Sequence, residues 1–228
     1  MVPRHPHAAR QQDITAWIVG ASGLVGSLLL PLLLDDPAFG AVVSLGRRPL
    51  PLTHARLTQR TIDFASLDVS GLPPPDVAFC ALGTTIAKAG TAEAFRAVDH
   101  GAVLAFARAA FAAGAKRFEV VTAHGADPKS MVLYNRVKAE VEADLRAVGF
   151  TSLAIARPSL LLGDRAESRP GERVAVVASR LLGGLLRPFE ARPIEAAVVA
   201  RALVAMAHDP PVGAVVYPSS RLQTLGGG

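Results

Sequence analysis

Residues 14–26 read ITAWIVGASGLVG, an apolar and β-branched run that leads into glycines at positions 20, 23 and 26. The run predicts a strand and the residues after it predict a helix, so the glycines fall in a tight strand-to-helix turn. Backbone N–H groups at a helix N-terminus favour a phosphate, and glycines let a pyrophosphate approach the main chain. The spacing therefore predicts a dinucleotide site formed by Gly20, Ser22, Gly23, Leu24, Val25 and Gly26.

The composition is that of a globular protein with one core. Of its 228 residues, 50% are hydrophobic and 19% are charged, and such a chain can bury one substantial core. The apolar run at 28–34 is far shorter than the ~20 residues that cross a bilayer, and residues 1–13 resemble a frayed tail instead of a secretory signal. The single cysteine, Cys80, is interpreted as a buried small side chain in a reducing compartment. We expect a cytoplasmic protein with no membrane partner.

The charge pattern does not indicate a polyanion partner. The net charge is +5, but the arginines are scattered and aromatic residues make up only 5% of the chain, so nucleic-acid binding is not expected. His5 and His7 are too few ligands for a metal site, and no metal is predicted. A small-molecule substrate is the expected partner, and a homodimer is left open.

Strand-like and helix-like segments alternate along the chain. The strand-like runs are 14–19, 41–45, 57–64, 77–82, 118–122, 152–156 and 214–217, and the helix-like runs are about 24–34, 92–113, 131–148, 174–186 and 194–207. This alternation predicts an α/β protein with a doubly wound parallel sheet. We expect a tail at 1–13, a single domain at 14–218 with a small lobe at about 158–210, and a loose tail at 219–228.

Two pairs of residues suggest chemistry at the end of this sheet. Arg47 and Arg48 follow the second strand, where an NAD enzyme carries a carboxylate for the ribose, and no carboxylate occurs between Asp36 and Asp63. Guanidinium groups there favour the 2′-phosphate of NADP, although two arginines can also form an ordinary solvated loop. Tyr134 and Lys138 lie four residues apart on one helix face, where a cation stabilises a phenolate and the phenol can exchange a proton during hydride transfer.

Several motifs resemble the short-chain dehydrogenase/reductase superfamily, in its extended or atypical branch, and within it the Tat-interacting oxidoreductase-like family. The matching motifs are GASGLVG, SLGRR, FCALGTTIAKAG, AFRAVD, LYNRVKAEVE and RPSLLLGDRAESRPGE. The resemblance covers nearly all of the chain and implies a Rossmann fold that binds NADP at the carboxyl ends of the strands. It implies that Asp63 and Phe64 flank the adenine. It also implies that the nicotinamide and its ribose contact Ala81, Leu82, Gly83, Lys138, Pro158 and Ser159, with Tyr134 and Lys138 as the catalytic pair.

The segment after the fifth predicted strand departs from the superfamily pattern. The family's substrate-binding hydroxyl falls at Ala123, so Thr122 is the available hydroxyl and becomes the third catalytic candidate. His124 could replace the missing donor, but a histidine in a loop is more often solvated. Asp99 stands where many relatives carry an asparagine, which puts the proton relay in doubt.

The leading hypothesis is an NADP-dependent oxidoreductase of the short-chain type that acts on a small carbonyl or alcohol. The alternative is an NADPH-binding redox sensor or interaction protein without turnover, which Ala123 favours. Nucleic-acid binding through the basic surface is a third alternative, and it would depend steeply on salt.

Overall fold

The computed structural model describes residues 14–163 and 192–227. Two sequence predictions lie outside these residues: the tail at 1–13 and the helix at 174–186.

A parallel sheet of seven strands forms the centre of the fold, in the order β3-β2-β1-β4-β5-β6-β9. Its strands are β1 (Ile14–Val19), β2 (Phe39–Gly46), β3 (Leu57–Thr61), β4 (Val77–Cys80), β5 (Arg117–Val121), β6 (Ser152–Arg157) and β9 (Gly213–Pro218). Each neighbouring pair is parallel. The strand order reverses between β1 and β4, and ligands of doubly wound sheets bind in the crevice outside such a switch point. The predicted fold class is confirmed.

The helices are α1 (Gly26–Asp35), α2 (Ile86–Ala89), α3 (Ala92–Arg96), α4 (Val103–Ala112), α5 (Leu133–Val148), α6 (Ala196–His208) and α7 (Ser219–Gly226). A π-helical turn, Ala97–Ala102, joins α3 to α4 and interrupts the helix predicted at 92–113. Two short strands, β7 (Leu161–Leu162) and β8 (Ile194–Glu195), pair with each other. Within the described ranges, the helices are too short or too polar to cross a bilayer.

Helices cover both faces of the sheet and bury it. Ile18 of β1 packs in one core with Leu29 of α1 and Leu203 of α6. Trp17, the neighbouring residue on β1, packs in the second core with Phe106 of α4 and Leu145 of α5. Successive side chains of a strand point to opposite faces, so β1 must be apolar at almost every position. This explains why its sequence does not alternate.

The ends of two strands and the C-terminal segment also differ from the sequence prediction. The fourth strand ends at Cys80 instead of residue 82. The third strand ends at Thr61 instead of residue 64. Residues 219–226, which we expected to be loose, form α7. Leu222 of α7 is fully buried in the core with α6, and Arg201 of α6 donates through Nε to the carbonyl of Gly226 at 2.5 Å. The terminal glycines suggested flexibility, but the apolar side chain before them anchors the helix.

Candidate functional site

The carboxyl ends of the seven parallel strands lie along one edge of the sheet, and the candidate residues follow these ends. Because chain direction is the same in every strand, segments that are distant in sequence meet at this edge. The segments are 20–26 after β1, 47–48 after β2, 63–64 after β3, 81–83 after β4, 122–124 after β5 and 158–159 after β6.

The glycine turn after β1 is built by close backbone packing. Gly20 has a φ of +80°, and a Cβ atom there would lie 2.5 Å from the carbonyl carbon of Ala81. A Cβ atom on Gly26 would overlap the carbonyl oxygen of Gly20. The Gly23 amide donates to the same oxygen at 2.8 Å. Glycine is therefore required at positions 20 and 26 by the fold itself, before any ligand is considered.

The turn leaves backbone donors available at the N-terminus of α1. Among the described residues, the amides of Ser22, Leu24 and Val25 have no hydrogen-bond acceptor. Ser22 is exposed and Leu24 is half-buried. Unpaired amides next to the positive end of a ten-residue helix suit an anion, and this arrangement fits a pyrophosphate.

The ends of β2 and β3 carry the residues assigned to the adenosine half of the ligand. Arg47 and Arg48 are both exposed, and neither makes an ion pair within the part of the chain that the structure describes. Asp63 is exposed and accepts a hydrogen bond from the amide of Ala65 at 3.0 Å. The half-buried Phe64 packs against the second core. Two exposed guanidinium groups thus follow the carboxyl end of β2, the neighbour of β1 in the sheet.

Tyr134 and Lys138 share one face of α5, as the spacing predicted. The Nζ atom of Lys138 lies 5.8 Å from the centroid of the Tyr134 ring. Phe95 of α3 stacks on the Tyr134 ring, with 5.5 Å between the two ring centroids. Tyr134 is half-buried whereas Lys138 is buried. A proton donor is therefore held in a fixed orientation next to a cation.

A residue whose contact the sequence analysis did not foresee completes this pair. Asp99 lies in the π-helical turn with no exposed surface, and its Oδ1 atom is 2.7 Å from Nζ of Lys138. Its Oδ2 atom accepts the amide of Thr84 at 2.8 Å. The sequence did contain one signal for this contact. Asp99 lies between Phe95 and Val103 on an apolar helix face, and a charged side chain is rarely buried on such a face without a partner.

Thr122 does not face the crevice with a free hydroxyl group. Its Oγ1 donates to Oε1 of Glu142 at 2.7 Å, and both side chains are buried. Arg157 binds both oxygens of the same carboxylate, at 2.9 and 2.6 Å. A hydroxyl group has one hydrogen, and Thr122 uses it in this network. Thr122 thus links β5 to α5 in this structure, and its role as the donor to a substrate oxygen stays a prediction.

The remaining candidates around the nicotinamide position have defined partners. Ser159 donates to the carbonyl of Arg192 and accepts from Ser219 of α7 at 3.0 Å. Pro158 is buried, and its carbonyl accepts the amide of His124, whose side chain is exposed.

Burial raises the pKa of the Cys80 thiol to about 12. Cys80 therefore remains a thiol and is not a nucleophile.

Two groups of curated proteins are similar to this chain over most of its length. Protein HTATIP2 of Rattus norvegicus is 42% identical over 171 residues, which cover 73% of this chain and 70% of that protein. Protein fmp52, mitochondrial, of Aspergillus fumigatus is 36% identical over 224 residues, which cover 92% of this chain and 94% of that protein. No protein-family model matches the chain.

Solved structures share the fold at low sequence identity. MoeE5 in complex with UDP-glucose and NAD is 21% identical, with a TM-score of 0.69 and coverage of 89% of this chain and 74% of that one. WbmH of Bordetella bronchiseptica in complex with NAD+ is 18% identical, with a TM-score of 0.67 and coverage of 90% and 75%. These similarities confirm the Rossmann-type fold.

The comparisons correct one prediction and confirm another. Several fungal relatives carry the word mitochondrial in their names, which contradicts the expectation of a cytoplasmic protein. A single buried cysteine does not distinguish the compartments inside a cell. The predicted family is confirmed by identities above one third over most of both chains. This chain belongs to the family of the HTATIP2 and fmp52 proteins, an atypical branch of the short-chain dehydrogenase/reductase superfamily.

Proposed function

We propose that the protein is an NADP-dependent oxidoreductase that acts on a small carbonyl or alcohol. The observation that carries this proposal is the position of Tyr134 and Lys138, with Nζ 5.8 Å from the phenol ring centroid. They lie on α5, which follows the carboxyl end of β5, at the sheet edge that also carries the glycine turn. A phenol beside a cation at such a crevice suits proton transfer coupled to hydride transfer.

The residues at the switch point support a dinucleotide as the cofactor. The unpaired amides of Ser22, Leu24 and Val25 would hold the pyrophosphate, and Lys138 would reach the nicotinamide ribose. The structural neighbours MoeE5 and WbmH are complexes with NAD. The preference for NADP rests on Arg47 and Arg48, because exposed guanidinium groups bind a phosphate through forked, charge-assisted hydrogen bonds.

In this proposal the residues of the chain transfer a proton and hold the phenol of Tyr134 in position. A bound nicotinamide supplies the hydride donor or acceptor. The Tyr134 phenol donates its proton to the carbonyl oxygen of the substrate, or accepts the proton of an alcohol in the reverse direction. Lys138 stabilises the phenolate that this transfer leaves. The stacked ring of Phe95 keeps the phenol from turning away.

Cofactor binding can be tested by calorimetry with NADPH and NADH. Arg47→Ala combined with Arg48→Ala is expected to weaken NADPH binding at least about tenfold, because two charge-assisted contacts are lost, and to leave NADH binding unchanged. Arg108→Ala, which removes an exposed arginine on α4, is the matched control. If the wild-type protein binds neither nucleotide, the proposed function is wrong.

Turnover can be tested with NADPH and a panel of aldehydes, ketones and nucleotide sugars. Tyr134→Phe is expected to lower kcat by about a hundredfold or more and to preserve NADPH affinity, because it removes only the transferable proton. Unchanged turnover in this variant would exclude Tyr134 as the acid.

A second candidate is an NADPH-binding sensor without turnover. The observation that favours it is the commitment of the Thr122 hydroxyl to Glu142, which leaves Ala123 where the family's substrate-binding hydroxyl would stand. Loss of one donor to the substrate oxygen costs about 1–3 kcal/mol, which can slow the reaction severely. Any turnover that Tyr134→Phe abolishes would rule out this candidate.

A further inference from the structure

We propose that the substrate is an apolar carbonyl compound or alcohol, whose hydrocarbon part packs on an apolar rim at the mouth of the crevice. The rim is formed by four exposed residues, Ile86, Met131, Val132 and Leu160. Met131 is 94% exposed and Val132 is 54% exposed. The inference rests on the proposed function, because it names the substrate class of that same site.

The rim gathers exposed apolar residues that are scattered elsewhere. Nine large apolar residues are exposed in the described part of the chain, and the four of the rim all follow the carboxyl ends of β4, β5 and β6. These three strands are neighbours in the sheet. The other five are distributed over α1, α4, α7 and the loops before β3 and β9. Single exposed apolar residues are ordinary, whereas a group at one place marks a binding surface.

Hydrogen bonds hold the segments of the rim side by side. The amide of His124, after β5, donates to the carbonyl of Pro158, after β6, at 2.9 Å. Leu160 follows Pro158 by two residues, and its carbonyl accepts the amide of Ile194 at 3.0 Å. The backbone that carries Leu160 is therefore fixed next to the connection between β5 and α5.

The rim lies around the proposed proton donor. Val132 immediately precedes α5, and Tyr134 is in the first turn of that helix. Ile86 begins α2, which leads into α3 and Phe95, whose ring stacks on Tyr134. A substrate whose oxygen binds the Tyr134 phenol would thus extend its other atoms across the rim. Met131 suits this role, because a flexible thioether side chain adapts to apolar ligands of different shape.

Two arginines of the same segments are engaged by the protein itself. The Arg136 guanidinium donates to the carbonyls of Ser130 and Met131, both at 2.9 Å. The Arg157 guanidinium binds the carboxylate of Glu142. A nucleotide sugar carries a diphosphate that such groups would have to hold, whereas a hydrocarbon chain needs none. This favours an apolar substrate over a nucleotide sugar.

The hydrocarbon part takes no role in the reaction and acts through binding alone. In the reductive direction a hydride from NADPH goes to the carbonyl carbon and the Tyr134 proton goes to the carbonyl oxygen, which gives an alcohol and NADP+. Each further CH₂ group that is fully buried favours the bound state by a factor of about four. Affinity should therefore rise with chain length.

NMR of the methionine methyl groups tests the rim without turnover. On titration with 1-octanol, the methyl signal of Met131 is expected to shift, with a Kd at least about tenfold lower than that for 1-butanol. The signal of Met206, which is buried in α6, should stay unchanged. A Met131 signal that responds no more than that of Met206, or equal Kd values for the two alcohols, would overturn the proposal.

A pair of variants locates the binding. Leu160→Asn is expected to weaken 1-octanol binding at least about threefold in the same titration, because it replaces an apolar contact by an amide. Val212→Gln is the matched control, since Val212 is 97% exposed but lies before β9, at the opposite edge of the sheet. It should leave the Kd unchanged. Equal effects of the two variants would show that the alcohol does not bind at the rim.

Turnover with NADPH tests the substrate class directly. From butanal to octanal, kcat/KM of the wild type is expected to rise at least about tenfold, and Met131→Gln combined with Leu160→Asn should reduce this rise to about twofold or less. Oxidation of UDP-glucose with NADP+ in preference to octanol would overturn the proposal in favour of a nucleotide sugar.

The failure of this inference can be distinguished from that of the proposed function. If the wild type binds neither NADPH nor NADH, the proposed function is wrong and the substrate class falls with it. If NADPH binds but the Met131 signal does not respond to 1-octanol, the substrate class alone is wrong.

Discussion

Arg157 at the end of β6 donates two hydrogen bonds to the carboxylate of Glu142 on α5, from Nε at 2.9 Å and from Nη2 at 2.6 Å. Thr122 of the segment after β5 donates to the same carboxylate. Glu142 therefore ties α5, which carries Tyr134 and Lys138, to the ends of two strands. Such a contact fixes the position of α5 relative to the crevice.

The first prediction concerns this contact. Glu142→Gln keeps the shape of the side chain but leaves the Arg157 charge without its partner, and we expect a loss of about 2–4 kcal/mol in the free energy of unfolding. Urea denaturation measures the change. Glu140→Gln is the matched control, because its ion pair with Arg96 is exposed, and it should cost less than about 1 kcal/mol. Equal losses in the two variants would show that the buried contact contributes no more to the free energy of unfolding than the exposed ion pair does.

The second prediction separates the two constraints on the glycine turn. Gly20→Ala must accept a positive φ and a Cβ atom 2.5 Å from the Ala81 backbone, whereas Gly71→Ala has a φ of +72° and no neighbour within 4 Å. The positive φ alone costs about 1–2 kcal/mol. We expect Gly71→Ala to lose about that amount and Gly20→Ala to lose clearly more in denaturant unfolding. A similar loss in both variants would contradict the close approach of the turn to β4.

The third prediction concerns a buried carboxyl group away from the crevice. Glu119 of β5 is almost completely buried, and its Oε2 atom has no hydrogen-bond partner within the described residues. Burial raises the pKa of Glu119 well above 4.5, and the nearby charge of Arg117 offsets this only in part. Above about pH 4.5 the unfolded chain releases the Glu119 proton, whereas the folded state retains it. This residue therefore destabilises the protein progressively as the pH rises.

Glu119→Gln is accordingly expected to stabilise the protein at neutral pH. The stability difference between this variant and wild type should grow as the pH rises above about 4.5, because only wild type must either retain the proton or bury a charge. Chemical denaturation at a series of pH values measures it. A variant that is less stable by the same amount at every pH would show that Glu119 contributes a specific contact instead.

The fourth prediction tests the C-terminal helix α7. Leu222 is fully buried, whereas Leu225, three residues later, is 37% exposed. Leu222→Ala should cost about 2–4 kcal/mol, as for other buried leucines, and Leu225→Ala should cost under about 1 kcal/mol. Thermal unfolding of the two variants checks this. Equal and small effects would support the loose tail that the sequence suggested.

Local patterns were sufficient for the main elements. The run at 14–19 has the bounds of β1, and the strand predicted at 152–156 differs from β6 by one residue. Both strands are buried on two faces, and a continuous apolar run followed by a turn carries that information locally. The helix predicted at 131–148 contains α5, because its apolar stripe of Val137, Val141 and Leu145 has a helical period.

The π-helical turn and the partners of the site residues could not be predicted in this way. Asp99 and Lys138 are 39 positions apart in the sequence, and Thr122 and Arg157 reach Glu142 from different strands. No periodicity of the chain encodes such contacts. The contact of Thr122 with Glu142 could not be foreseen, because a hydroxyl group at a strand end looks the same in sequence whether it faces a crevice or a buried carboxylate.

The sequence by itself determined the order of the seven sheet strands and of the longer helices between them, the glycine turn and the common helix face of Tyr134 and Lys138, because period and spacing act between residues close along the chain. Only the tertiary structure decided that Asp99 pairs with Lys138, that Thr122 donates to Glu142 and that residues 219–226 fold as a helix. Each of these depends on which buried polar or apolar groups meet across elements. The energetic cost of an unpaired buried group enforces such pairings only once the chain has packed.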